Sequence, residues 1–179
     1  VVLTGYYPSK NSKYLAFKTS LNGSDRQEIK FKDFANKKYL DDVLTDIKFS
    51  NVAWNDDKGV FYKKNSNKEF FAKDSTYQLY YHKIGDIQSK DQLVFDTSNT
   101  KSNFSFFTKQ NKLFVIETSE DETTKNYYYS TIENESFQFK NFIKDDKSNL
   151  ELLNIINDKF YFSDEKYSWG NISYFDINN

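Results

Sequence analysis

The sequence predicts an all-β fold of four-stranded antiparallel sheets set side by side, an incomplete β-propeller. Three observations predict it. Short aromatic strands recur at 13–17, 58–62, 112–116 and 159–162, and the lysines that open them lie 45, 54 and 47 positions apart. A period of this size, holding several short strands, is what propeller blades produce. Aromatic residues make up 19% of the chain although its mean hydropathy is only -0.82. A disordered chain would lack those rings, so a folded, aromatic-cored β protein is expected. Finally, the pattern stops before its last unit is complete, which leaves about three and a half blades.

The elements follow in order. Unit one (1–50) reads as strands at 5–7, 14–17, 28–34 and 42–44, and unit two (51–99) as strands at 52–54, 60–63, 78–83 and 92–95. Unit three (100–149) carries 104–107, 113–117, 126–130 and 141–143. The fourth (150–179) has 152–156, 160–163 and 171–176 and ends one strand short. Between first and second strands stand Ser9-Lys10-Asn11-Ser12, Asn55-Asp56-Asp57-Lys58, Lys109-Gln110-Asn111 and Asn157-Asp158. Asn and Asp bond their own backbone and tolerate left-handed geometry, so tight hairpins are expected there. The longer connections 64–76 and 119–125 are polar and expected at the rim. In 145–156, Leu150, Leu153 and Ile156 have helix-like spacing, but the place in the repeat favours a loop followed by a strand. The whole chain is read as one incomplete propeller domain.

Composition excludes several function classes. With 25 basic and 26 acidic residues interspersed, net charge is -1, and no basic face for nucleic acid or polybasic membrane patch is expected. No apolar run approaches the roughly 18 residues needed to cross a bilayer as a helix. Absence of cysteine fits a reducing compartment, and a cytoplasmic location is the expectation. The chain starts at Val1 with no methionine, so the natural N-terminus is expected to lie outside it.

Catalytic motifs are not found. A nucleophile elbow needs Gly-x-Ser-x-Gly, and no two of Gly5, Gly23, Gly59, Gly85 and Gly170 are four apart. The single histidine, His82, sits in the strand-like run 78–83 and reads as a strand residue held by hydrogen bonds rather than a triad base. One histidine and no cysteine leave no zinc site. The acidic stretch 117–122 lacks the ligand alternation of a calcium loop and reads as a solvated turn. Neither a metal nor a cofactor is expected. Trp54 and Tyr127-Tyr128-Tyr129 have strand spacing and read as core between blades rather than ligand platforms.

Specific residues then carry a resemblance. Val1-Val2-Leu3-Thr4-Gly5-Tyr6 with 9–17, then Gly23-Ser24-Asp25 with Ile29-Lys30, resembles the propeller of the prolyl oligopeptidase family of serine peptidases. The strongest match runs from Asp42-Val43-Leu44 through Ile47-Lys48-Phe49-Ser50 and Ala53-Trp54 to Lys58-Gly59-Val60-Phe61-Tyr62. Leu79-Tyr80-Tyr81-His82-Lys83-Ile84-Gly85, Gln88-Ser89 and Asp91 continue it. The resemblance is firm to about Asp96 and rests on spacing beyond.

What the resemblance implies is a seven-bladed propeller, represented here by its N-terminal part, capping an α/β-hydrolase domain of the same polypeptide. That catalytic domain, with its Ser-Asp-His triad, lies outside this chain, and the propeller admits short peptides cleaved after proline. By the same analogy Phe49 faces the peptide substrate as the aromatic of a distal subsite, against the alternative of strand-end core. Three positions depart from the family pattern: Arg26 where a tryptophan is usual, Ser119 or a neighbour in place of an arginine, and Ser102 in place of an apolar residue. Either the distal pocket is more polar than usual or that part of the match is shifted.

The leading expectation is therefore a non-catalytic propeller segment of a prolyl oligopeptidase-like peptidase, gating access to an active site on another domain. Two alternatives stand beside it: a freestanding interaction scaffold, and the propeller of a related dipeptidyl or basic-residue-specific peptidase. Cut off from its closing blades, the isolated fragment is expected to self-associate or to be marginally folded.

Overall fold

The computed structural model describes residues 1–20, 24–65, 77–100, 102–147, 150–164 and 171–177. The connection 64–76, expected at the rim, lies mostly outside the described residues. Antiparallel strands dominate. β1 (Val2–Pro8), β2 (Tyr14–Ser20) and β3 (Gln27–Asp33) lead into an 18-residue strand, β4 (Lys38–Asn55). β5 (Gly59–Asn65), β6 (Tyr77–Lys83) and β7 (Gln92–Asp96) follow, with one 3-10 turn at Gln88–Lys90. Next come β8 (Asn103–Lys109), β9 (Lys112–Thr118), β10 (Lys125–Thr131) and β11 (Lys140–Asp146). The last set is β12 (Glu151–Ile156), β13 (Lys159–Asp164) and β14 (Asn171–Asp176). Within the segment of helix-like leucine spacing, 145–146 close β11 and 151–156 form β12, so its described residues hold no helix.

Pairing groups β8–β11 as a four-stranded sheet and β12–β14 as a three-stranded one, while β1–β7 form one hydrogen-bonded array. That array is two blades joined through β4, which serves as outer strand of the first and inner strand of the second. The joint is visible in the backbone: Asp46 and Phe49 have left-handed φ of 58° and 49°, and the register slips between Ile47 and Val52. Residues from both halves then meet in one core. Ala16, Ile29, Phe31, Leu44 and Ile47 from the first half pack with Val52, Trp54, Val60 and Tyr62 from the second. Two halves of a flat sheet could not face each other in this way, so the sheet folds over at 46–51.

The same face-to-face packing repeats. Ala53, Phe61, Leu79 and Tyr81 pack with Phe104, Phe106, Leu113 and Val115 between the second and third blades. Phe114, Tyr127 and Tyr129 pack with Ile155, Phe160 and Phe162 between the third and fourth. Side chains alternate across a strand, so each inner blade buries both faces. Tyr127 and Tyr129 enter one core while Tyr128 packs into the other. Burial of this kind is worth roughly 25 cal/mol per Å² of apolar surface.

The inter-strand turns have the expected chemistry. Gln110 and Asn111 (φ 49° and 56°) join Lys109 to its partner Lys112, and Asn157 and Asp158 (φ 48° and 61°) join Ile156 to Lys159. Two consecutive left-handed residues match the twist of a two-residue hairpin. These turns also tie neighbouring blades together, through Lys10 to Asp56 at 3.0 Å, Asn11 to Asp57 at 2.7 Å and Lys112 to Asp158 at 2.7 Å.

Candidate functional site

The bend in β4 builds the candidate site. A strand that must leave one blade and start the next cannot keep its pleat, and the segment 48–51 takes up the turn with Phe49 in left-handed backbone. Left-handed φ on a bulky residue costs about 1–2 kcal/mol, and hydrogen bonds from Ser50 hold the bend. The Ser50 hydroxyl donates to the Asn51 carbonyl at 2.6 Å and accepts the Lys63 N–H at 2.7 Å; the Ser50 carbonyl accepts from Lys18 Nζ at 2.6 Å. Phe49 is thereby turned outward and is 60% exposed, with the Lys48 ammonium 5.3 Å from its ring centre. It is not strand-end core.

Phe49 lies at the rim of a hollow of about 360 Å³ where the first three blades meet, walled by Lys18, Gln27, Ser50, Lys63 and Phe104. Two lysines dominate its polar lining. Lys18 is 8% exposed and Lys63 6%. Lys63 Nζ donates to Asn103 Oδ1 at 3.0 Å and to the Phe104 carbonyl at 3.3 Å, and lies over the Tyr77 ring at 4.2 Å. Burial alone pulls its pKa down to about 8, because no neighbouring charge compensates the lost hydration. Sequence reasoning named Phe49 and missed both lysines. A signal existed: Lys18 and Lys63 each stand five positions after the lysine that opens their strand, where the third and fourth units have Glu117 and Asp164.

His82 lies elsewhere and is wholly buried. Its Nδ1 is 2.7 Å from Asp91 Oδ1 and its Nε2 3.3 Å from Asp42 Oδ2, and its ring stacks on Phe31 at 5.7 Å. Asp42 also accepts the Gly85 N–H at 2.6 Å, and Asp91 accepts the Tyr62 hydroxyl at 2.7 Å. A histidine flanked by two carboxylates and sealed under aromatic rings has no path to substrate. It pins the outer strand of the first blade to the second, as a structural strand histidine.

The other singled-out residues are structural too. Trp54 is buried, stacks on Tyr14 at 6.3 Å and donates its Nε1 proton to the Tyr7 carbonyl at 2.9 Å. The acidic stretch 117–122 enters the β9–β10 hairpin, where the Ser119 and Thr123 hydroxyls hold Asp121 down to about 2. Of the departures from the family pattern, Arg26 reaches Asp46 at 3.3 Å. Ser102 is buried, its hydroxyl on Glu117, which also accepts the Tyr128 hydroxyl at 2.9 Å. Among the described residues no group of three or more His, Cys, Asp or Glu side chains converges on a metal-sized point.

Comparison with known proteins places this geometry. Residues 1–177 match the family model described as the prolyl oligopeptidase N-terminal β-propeller domain. The chain is 25% identical over 164 residues to a prolyl endopeptidase of Elizabethkingia miricola and 26% identical to one of Elizabethkingia meningoseptica. Each alignment covers 88% of the chain and 23% of the relative, so the chain spans about a quarter of the proteins it matches. Among solved structures it is similar to a prolyl endopeptidase studied for inter-domain dynamics, with a TM-score of 0.84 and 20% identity over 99% of the chain and 26% of that protein. It is also similar to prolyl oligopeptidase B of Galerina marginata bound to a 35mer substrate, with a TM-score of 0.84 and 14% identity over 99% of the chain and 28% of that protein.

Proposed function

The chain belongs to the family of prolyl oligopeptidase N-terminal β-propeller domains, and on that premise we propose that it is the non-catalytic propeller segment of a prolyl oligopeptidase-like serine peptidase. In this reading it packs on an α/β-hydrolase domain of the same polypeptide and restricts that domain's active site to short peptides. Its contribution is steric, excluding folded protein and water, with Phe49 offered to the peptide as an aromatic contact. The observation that carries the reading is the family match across 1–177. Exposure of Phe49 beside a polar hollow, on a bend fixed by Ser50, supports its part in it.

The test is cleavage by the full-length protein. Peptides matched except for proline or arginine at one internal position are offered, and the products are identified by mass. Cleavage after proline is the expected result, with folded proteins left intact. Cleavage after arginine, release of dipeptides from N-termini, or a gene without a Gly-x-Ser-x-Gly elbow downstream would remove the proposal.

A further inference from the structure

The hollow beside Phe49 carries charge that the fold leaves unbalanced. Among the described residues its wall holds Lys18 and Lys63 and no acidic side chain. Each ammonium has three N–H groups. Lys18 uses one on the Ser50 carbonyl, and Lys63 uses two on Asn103 Oδ1 and the Phe104 carbonyl. Among the described residues neither lysine forms an ion pair, whereas buried His82 is flanked by the carboxylates of Asp42 and Asp91. A buried cation is costly unless an opposite charge approaches it. The wall also presents Gln27, whose Oε1 is buried without a hydrogen-bond partner.

We propose that this hollow binds a carboxylate carried by a peptide, its oxygens accepting the spare N–H groups of Lys18 and Lys63 while Phe49 and Phe104 pack on the adjoining carbon chain. The inference rests on the reading of Phe49 as a peptide contact and gives that contact a chemical preference. A carboxylate fits for three reasons. Charge-assisted N–H···O⁻ bonds are roughly twice as strong as neutral ones. The lowered proton affinity of Lys63 is restored when an anion arrives, so binding and protonation reinforce each other. The orphan Gln27 acceptor suits a backbone N–H of the same peptide. Cationic side chains are repelled by the same two ammonium groups.

Binding is read by calorimetric titration of the full-length protein, which does not depend on turnover. Proline-free hexapeptides are used, identical except for a central glutamate, glutamine or lysine, each with a free or an amidated C-terminus. The glutamate peptide is expected to bind about tenfold more tightly than the glutamine peptide, and the lysine peptide more weakly than either. If the preference follows the free C-terminus instead, the carboxylate is the terminal one and the site stands. Lys63→Met and Lys18→Met should each drive the acid-to-amide ratio towards one, and Lys63→Arg should retain it. Equal binding of all acid and amide peptides by the unmodified protein would overturn the inference without any variant, as would a preference that survives both methionine substitutions. Loss of proline-directed cleavage with the acid preference intact would instead remove the peptidase reading and leave the anion site.

Discussion

Lys63 and His82 are both buried bases, on the neighbouring strands β5 and β6, and their surroundings push protonation in opposite directions. Burial lowers Lys63 to about 8 with nothing opposing it. Burial also acts against the His82 cation, but the hydrogen bonds and charges of Asp91 and Asp42 outweigh it, so His82 ends above its ordinary 6.5. For Lys63 the folded pKa lies below the unfolded one. The charged form therefore destabilises the fold below about pH 8, and that cost fades as pH climbs toward 10.5. The gap corresponds to roughly 3 kcal/mol. Lys63→Met removes it but takes the ammonium from the Phe104 carbonyl, at about 1 kcal/mol, while Asn103 Oδ1 keeps the Phe104 N–H. A net gain of about 2 kcal/mol at pH 7 is expected, vanishing near pH 10, by urea denaturation of the protein carrying this chain. A gain that grows with pH would contradict the assignment. For His82 the sign inverts. Its stabilisation is complete below about 6.5 and is lost as pH rises through the raised folded value. His82→Gln should cost about 3 kcal/mol at pH 6, where it strands two buried carboxylates, and clearly less at pH 9. A penalty independent of pH would mean that His82 is held there as a neutral ring.

The elements were largely legible because their signals are local. Alternating aromatics and β-branched residues mark the strands, and Asn-Asp turns mark the hairpins; the structure puts left-handed backbone at Asp56, Asn111, Asn157 and Asp158, where those turns were read. The continuity of β4 was not legible. Nothing in 45–51 looks like a turn, and only tertiary packing of two facing half-sheets forces Asp46 and Phe49 into left-handed backbone. For the same reason the site is only half visible: Phe49 comes from a sequence match and the two lysines share a place in the repeat, but that Lys18, Lys63 and Phe104 converge from three blades is set by tertiary packing. Gly59 is the element-scale constraint that this packing adds. It opens β5 opposite Lys83, and a Cβ there would overlap the His82 carbonyl and lie 2.7 Å from the Tyr81 ring. The first of these is backbone and has no rotamer to escape into. Gly59→Ala should therefore push β5 from β6 and cost about 3 kcal/mol, lowering the midpoint of denaturation. Gly85→Ala has open space around it and should lose only about 1 kcal/mol, for its φ of 91°. Equal penalties at the two glycines would show that β5 and β6 part at little cost and that close approach does not set the penalty at Gly59.

At the scale of the whole molecule, each inner blade buries both faces, but among the described residues nothing covers the two outermost faces. On the first blade Tyr6 pairs with Phe17, Phe17 with Lys30, and Lys30 with Val43, which sets one row on that face; Tyr6 is 71% exposed and Tyr39, edge-on to Phe17 at 5.9 Å, is 69% exposed. On the fourth blade Tyr161 lies against Tyr174 at 5.9 Å, and Ile172 is 71% exposed. Aromatic rows of this kind cover other blades everywhere else in the chain. At about 25 cal/mol per Å², an open face of some 400 Å² is worth roughly 10 kcal/mol, as much as the net stability of an ordinary domain. Two such faces on one chain favour contact with a second copy that would cover them. The isolated chain is therefore expected to sediment as dimers or larger species whose size rises with concentration, and Tyr6→Lys with Tyr174→Lys should shift it toward monomer by placing charge on both open rows. A full-length protein that sets further blades against those rows should show no such dependence. A chain that stays monomeric at high concentration without the lysine substitutions would mean that the outer rows are too polar to require a partner, and that each blade is stable with one face wet.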